Sequence, residues 1–196
     1  MSNVTRSNAK RPAVFLDRDG TLIHERGWVL SPDDIELIDG AAEAVARLNQ
    51  AGYVVVLVTN QSAVGRGMID EAQLAENHAH LEAELERAGA RLDAIEYCPD
   101  HPTEGVGEYK RESRRRKPEP GMLLDAAEAL DLDLERSWTI GDAERDLVAG
   151  QRAGVRGILV ATGKGQREHA RLVEEGRAPE RFVPDLPAAT ELVLGT

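Results

Sequence analysis

The sequence predicts an α/β protein built on a parallel sheet, and three observations carry that reading. Short β-branched runs alternate with helical patterns along the chain, the signature of strands joined by helical crossovers. The first run, Ala13-Val14-Phe15-Leu16, is apolar throughout, as expected of a strand buried on both faces. Several runs end abruptly in acids, amides or hydroxyls, and in an open parallel sheet ligands bind beyond the carboxyl ends of the strands.

Taken in order, strands are predicted near Val14–Asp17, Tyr53–Thr59, Ala94–Cys98, Ser137–Gly141 and Gly157–Ala161, with a short last one near Arg181–Val183. Helices are predicted near Ala41–Ala51, Glu71–Ala88, Gly121–Leu130, Arg145–Ala153 and Gln166–Glu175, with another from Pro187. In the second helix Leu74, Leu81 and Leu85 are spaced by charged residues, which gives it one buried face. No repeat or low-complexity linker interrupts the pattern, so residues 12–196 read as one domain after a polar, disordered tail over residues 1–11.

Composition narrows the function classes. The chain has 196 residues, 41% of them hydrophobic and 30% charged, enough for a full core without staples. A formal charge of -11 argues against nucleic acid, which needs a basic face. No apolar run reaches membrane-spanning length, and the N-terminus lacks the apolar stretch of a secretory signal, so no membrane association is expected. A single cysteine, Cys98, excludes an internal disulfide and fits a reducing cytoplasm.

The first strand ends in Asp17-Arg18-Asp19-Gly20-Thr21. Two carboxylates this close repel each other, and a bound divalent cation is the usual remedy. The bland alternative is a turn-capping Asp beside an unrelated surface Asp, because Asp-Gly is a common turn pair. Two long stretches break the α/β pattern, His24 to Asp34 and Pro99 to Pro120. The second carries Arg114-Arg115-Arg116-Lys117 just before a helix start. Most such clusters are solvated charge runs. This one falls at the strand-end side of the sheet, where cations would meet an anionic ligand.

Other strand ends add to the set. Val58-Thr59-Asn60-Gln61 places a hydroxyl and amides at the sheet rim, and Arg66 follows on a flexible turn between Gly65 and Gly67. Thr139-Ile140-Gly141-Asp142 ends in an acid, with Asp146 one helical turn later. Each alone is a common turn or cap. Together they gather acids, a hydroxyl and cations at one edge, which suits phosphoryl chemistry: a carboxylate can act as nucleophile, while cations and metal neutralise the transferring oxygens.

The set Asp17-x-Asp19-Gly20-Thr21, Thr59-Asn60, Lys117-Pro118 and Gly141-Asp142-x-x-x-Asp146 resembles the haloacid dehalogenase superfamily of phosphatases. The branch it resembles comprises the heptose-bisphosphate and histidinol phosphatases, on Phe15 to Thr21, Thr59-Asn60-Gln61-Ser62 with Arg66-Gly67, Tyr97-Cys98-Pro99 and Arg116 to Leu123. The resemblance implies a Rossmann-like, three-layer fold with helices on both faces of a parallel sheet and minimal or no cap domain. It implies a cytoplasmic, monomeric, Mg2+-dependent phosphomonoesterase acting on a small phosphorylated metabolite, a sugar bisphosphate in the first instance and histidinol phosphate as the alternative. It further implies Asp17 as nucleophile, Asp19 as acid/base, Thr59 and Lys117 as phosphoryl-holding residues, and Mg2+ on Asp17, the Asp19 carbonyl and Asp142. Glu25, Arg26, Gly27, Trp28, Asn60, Gln61, Ser62, Arg66 and Arg116 would bind substrate.

Two departures from the branch stand out. Similar phosphatases hold the long loop with zinc on Cys-x-His and a later Cys-x-Cys, where this chain has Cys98-Pro99-Asp100 and Ser113-Arg114-Arg115. One cysteine and a displaced His101 do not make a closed tetrahedral site. Structural Zn2+ is therefore expected to be absent, Cys98 to be a small buried residue, and the loop to be held by packing and by ion pairs such as Glu108 or Glu112 with the arginines. Second, Ala143 stands where a lysine often follows the Gly-Asp pair, which removes one phosphate contact. A reading from another class is a phosphate-binding relative without catalysis, against which both acids of the pair are retained.

Overall fold

The computed structural model describes residues 10–195. The predicted tail lies outside them except for Lys10 and Arg11, and Arg11 already opens the first strand. In chain order the elements are β1 (Arg11–Leu16), α1 (Ala41–Gln50), β2 (Val54–Asn60), α2 (Ser62–Gly65), α3 (Glu71–Arg87), β3 (Ala94–Cys98) and α4 (Gly121–Ala129). They continue through β4 (Leu132–Gly141), α5 (Glu144–Ala153), β5 (Arg156–Val160), α6 (Gly165–Glu174), β6 (Phe182–Val183) and α7 (Leu186–Leu194). All strand pairs are parallel, in the order β3-β2-β1-β4-β5-β6. This is the predicted three-layer α/β fold, and no cap domain interrupts it.

The alternation of side chains along each strand divides the interior in two. Val14 and Leu16 join Val55, Leu57, Ile140 and Ile158 under α1, α3 and α7. Ala13 and Phe15 join Val54, Val56 and Val58 under α4 and α5. Because both faces are covered, the strands read as unbroken apolar runs. Among the described residues no helix is long and apolar enough to cross a membrane.

Three features differ from the expectation. Strand β4 begins at Leu132, five residues before the predicted Ser137, because Asp133 and Glu135-Arg136 hide it in a polar stretch. Its register against β1 shifts between Pro12 and Val14, where the Ser137 hydroxyl accepts from the Ala13 amide at 2.8 Å. A short helix not expected from the sequence, α2, precedes Arg66, which lies in the turn that follows. Gly65 packs there because a Cβ would lie 2.2 Å from the Pro99 carbonyl oxygen.

The long loop is held by ion pairs, but with other partners than expected. Among the described residues neither Glu108 nor Glu112 pairs with an arginine. Arg111 instead bonds Asp100 at 2.9 Å, Arg115 bonds Glu96 at 2.7 Å and Asp125 at 2.5 Å, and Arg114 bonds Asp125 at 2.7 Å. Glu71, at the start of α3, accepts from Tyr97 at 2.9 Å and from Tyr109 at 3.0 Å. Arg114 and Arg115 take acids that β3 and α4 fix beside them, whereas Arg111 takes Asp100 within the loop itself.

Helix α3 also buries His78 next to Arg18, with its ring edge-on to Tyr97 at 5.8 Å. Burial first, and then the Arg18 charge, push its pKa down to about 4. The folded chain therefore holds His78 neutral where the unfolded chain takes up a proton near the ordinary imidazole value of 6.5. The stability this group contributes is complete above that value and is lost as pH falls toward about 4, on the order of 3 kcal/mol. Urea midpoints measured across this window should fall with pH, and His78→Leu should flatten the fall. An unchanged slope in the variant would rule His78 out as the source.

Candidate active site

The strand order reverses direction at β1: the chain runs outward through β2 and β3, then crosses back to place β4 on the other side of β1. Such a switch opens a crevice beyond the strand ends. Asp17 follows β1 directly and Asp142 follows β4 directly, so the crevice is walled by carboxylates. The Asp17 amide donates to the Ile140 carbonyl at 3.0 Å, which continues the ladder to the site edge.

Lys117 reaches this point from the long loop and is buried. Its ammonium donates to Asp17 Oδ1 at 2.8 Å and to the Val58 carbonyl at 2.6 Å, and pairs with Asp146 Oδ1 at 2.6 Å. Two of its N–H groups thus make hydrogen bonds, while the contact with Asp146 is an ion pair whose Oδ1 accepts no hydrogen bond. Asn60 brackets the lysine backbone, donating to its carbonyl and accepting from its amide, each at 3.0 Å. Burial opposes the charge on Lys117, but Asp146 and Asp17 outweigh it and raise its pKa. Burial likewise opposes ionisation of Asp17, whose pKa is nonetheless lowered by Lys117 and Arg145.

Asp142 is fully buried, and burial together with the Asp17 charge pushes its pKa up to about 7. Its Oδ2 accepts from the Lys164 amide at 2.8 Å. Two glycines cradle that oxygen: a Cβ on either Gly20 or Gly163 would stand 2.2 Å from it, and both residues have positive φ. Asp142 Oδ1 and Asp17 Oδ2 are buried without a hydrogen-bond partner. Oxygens of Asp17, Asp142 and Asp146 lie within 4.8 Å of one another. An all-oxygen donor set with two orphaned carboxylate oxygens fits a hard divalent cation such as Mg2+.

The other predicted residues divide into those brought to this centre and those that are not. Asp19 stands at the rim, with Arg18 Nη2 on its Oδ1 at 3.0 Å and Gln61 Nε2 on its Oδ2 at 3.4 Å. Thr59 is buried, and its hydroxyl accepts from Gln61 at 2.8 Å. Ser62 is half-buried at the first turn of α2. Arg66 lies over the Trp28 ring at 4.9 Å and pairs with Glu104, while Arg116 donates to the Asp100 carbonyl at 2.9 Å. Glu25 accepts from Lys164 Nζ at 2.6 Å and from the Gly27 amide at 3.0 Å. Arg26 pairs with Glu36 and, among the described residues, bonds none of the other site residues.

The structure adds residues that the sequence reading left without a role. Asp146, noted only for its spacing, holds Lys117. Arg18, between the two acids, is buried and supports Asp19. Lys164 and Gly163 arrive from the turn after β5, for which no local pattern pointed to the site. Around Cys98 lie Ser113 Oγ at 3.6 Å and Asp100 Oδ2 at 3.9 Å, and His101 turns to Glu104 at 3.1 Å. One thiol with a hydroxyl and a carboxylate is not a closed zinc donor set.

The glycine cradle generates a prediction. Gly163→Ala should push the Asp142 carboxylate aside and weaken Mg2+ binding by about tenfold or more, as loss of a supporting contact does at metal sites. Calorimetric titration of the folded variant checks this, and wild-type affinity would show that the cradle does not position Asp142.

Comparison with known proteins agrees with this geometry. The profile of the family described as HAD-hydrolase-like matches residues 114–189. A D-glycero-beta-D-manno-heptose-1,7-bisphosphate 7-phosphatase of Photorhabdus laumondii is 46% identical over 154 residues, 78% of this chain and 82% of the relative. That of Pasteurella multocida is 41% identical over 182 residues, 90% and 95% of the two chains. The crystal structure of the D,D-heptose 1,7-bisphosphate phosphatase of B. bronchiseptica, complexed with magnesium and phosphate, superposes with a TM-score of 0.82 at 38% identity, covering 94% of this chain and 98% of that one. The corresponding enzyme from Burkholderia thailandensis gives a TM-score of 0.70 at 34% identity, over 95% and 100%. Identity at this level over most of both chains, on the same fold, establishes that the chain belongs to the heptose-bisphosphate phosphatase family of haloacid dehalogenase-like hydrolases.

Proposed function

We propose that the chain is a Mg2+-dependent phosphatase that removes the 7-phosphate of D-glycero-D-manno-heptose 1,7-bisphosphate through an aspartyl-phosphate. The observation that carries this reading is the state of Asp17. One of its oxygens is held by Lys117 at 2.8 Å, and the other is buried and unpartnered next to Asp142. A carboxylate fixed on one side and open on the other is arranged to attack.

In the first half-reaction an oxygen of Asp17 bonds to phosphorus as the bond to the sugar oxygen breaks. Asp19 gives its proton to that leaving oxygen. In the second half-reaction Asp19 takes a proton from water, the water oxygen bonds to phosphorus, and the Asp17 carboxylate departs with release of phosphate. Lys117 and the Thr59 hydroxyl face the phosphoryl oxygens, on which charge collects. Asp17, the Asp19 carbonyl and Asp142 would hold Mg2+, which would supply further positive charge to those oxygens. Asp146 keeps the lysine in place, and Asn60 and Gln61 hold the Lys117 backbone and the Thr59 hydroxyl.

The mouth of the site supports a substrate with a second phosphate. Arg66 lies over Trp28, Lys164 bonds Glu25 and gives its amide to Asp142, and Arg116 precedes Lys117 in the chain; we read these three as the cations that would meet that second phosphate. A cationic rim suits a bisphosphate better than the ammonium of histidinol phosphate. With a net charge of -11 the partner is a small metabolite and not nucleic acid, and we read the chain as a cytoplasmic monomer.

Phosphate release from a panel of sugar phosphates and histidinol phosphate, with Mg2+ present, tests the assignment. The heptose bisphosphate should exceed histidinol phosphate in kcat/KM by about a hundredfold or more. The opposite ranking overturns the substrate assignment. Asp17→Asn should lower phosphate release about a thousandfold or more without unfolding the chain. Activity close to wild type would refute the aspartyl-phosphate route.

A further inference from the structure

The site contains four arginines, and three of them are engaged. Arg18 bonds Asp19, Arg66 bonds Glu104, and Arg116 bonds the Asp100 carbonyl. Arg145 differs. It is the second residue of α5, between Glu144 and Asp146, and it makes no hydrogen bond among the described residues. Its Nη2 faces Asp17 Oδ2 at 3.9 Å and Asp142 Oδ1 at 4.0 Å, and its Nε is buried without a partner. These distances exceed hydrogen-bond range, so the donor fork is aimed at the reaction centre and unused. A buried donor without an acceptor is costly, and the cost is relieved when a ligand brings one.

The geometry points to Arg145 as a phosphoryl-binding residue of this phosphatase: its guanidinium donates to an oxygen of the phosphate that meets Asp17. This inference rests on the phosphatase reading above and adds a residue to it. Three arguments support it. The oxygens it faces are those of the proposed nucleophile and of its neighbouring acid, so a phosphate brought to Asp17 comes within reach of the fork. A guanidinium presents paired N–H groups that match a tetrahedral oxyanion. It also stands in the first turn of a ten-residue helix, where the helix dipole already favours an anion. The same residue repairs a loss seen in the sequence. Ala143, beside Asp142, offers no charge there, and Arg145 delivers a cation to the same carboxylate from two positions further on.

A purely structural Arg145 that only offsets the buried acids predicts something different. Removing it would then leave phosphate binding alone and strengthen Mg2+ binding, since one competing cation is gone. Binding of inorganic phosphate to the Mg2+-saturated protein, and of Mg2+ to the phosphate-free protein, separates the two in wild type, Arg145→Gln, Arg145→Ala and Arg145→Lys. We expect the phosphate Kd to rise by about tenfold to a hundredfold in the Gln and Ala variants, the loss of a charge-assisted pair. Arg145→Lys should recover part of it, and Mg2+ affinity should stay constant or tighten. A phosphate Kd within about twofold of wild type in Arg145→Gln overturns the proposal. So does parallel weakening of phosphate and Mg2+ binding, which marks general damage to the site. The outcome is independent of turnover: a wild type that binds phosphate through Arg145 yet hydrolyses no sugar phosphate would sink the phosphatase reading and leave this one standing.

Discussion

The buried ammonium of Lys117 is the interaction on which the rest of the site depends. It joins the nucleophile candidate after β1, the carbonyl of Val58 in β2 and Asp146 in the first turn of α5, so three separate elements converge on one nitrogen. Gathering three acids at the mouth of a crevice is unfavourable without such a cation, because each charge loses its water and meets two others. The pair is not a stabilising device in itself, since desolvation consumes most of the Coulomb gain of a buried ion pair. What it secures is position: Asp17 keeps one oxygen engaged and the other turned to Asp142.

The scaffold makes that position affordable. Asp17 and Asp142 sit on residues that directly extend neighbouring strands, whose backbones are tied across β1 and β4. Asp142 is squeezed between two glycines, so its carboxylate has little freedom to turn away from the centre. Residues on strand ends and helix starts hold their geometry better than residues on free loops, which suits chemistry that depends on placing charges before the reaction begins.

The long loop that delivers Lys117 and Arg116 solves a different problem. The resemblance implies a zinc-held loop, and where its ligands would stand this chain has Cys98, Asp100, Ser113 and Arg115. The structure gathers them into a cluster of hydrogen bonds and ion pairs instead. Exposed pairs contribute little individually. Here several act together with the two tyrosines on Glu71 and with the tight approach of Gly65 to Pro99. The loop is fastened at many weak points, to β3, α3 and α4, instead of at one strong one.

The sequence by itself determined the parallel sheet and the position of the site. Apolar runs that end in Asp17, Thr59 and Asp142 are local signals, and a parallel sheet sends all such ends to one edge. It also located Lys117, because a basic residue before a helix start is visible in the chain. Only the tertiary structure decided the partners. That Lys117 meets Asp146, that Arg145 faces Asp17, that Arg26 turns to Glu36 and that Asp125, not Glu112, anchors the loop arginines are all choices between candidates of equal chemistry. A long side chain can reach many acids, and which one it finds depends on where folding brings segments that are far apart in sequence. Periodicity and strand-end chemistry are properties of the chain, whereas pairing is a property of the packed molecule.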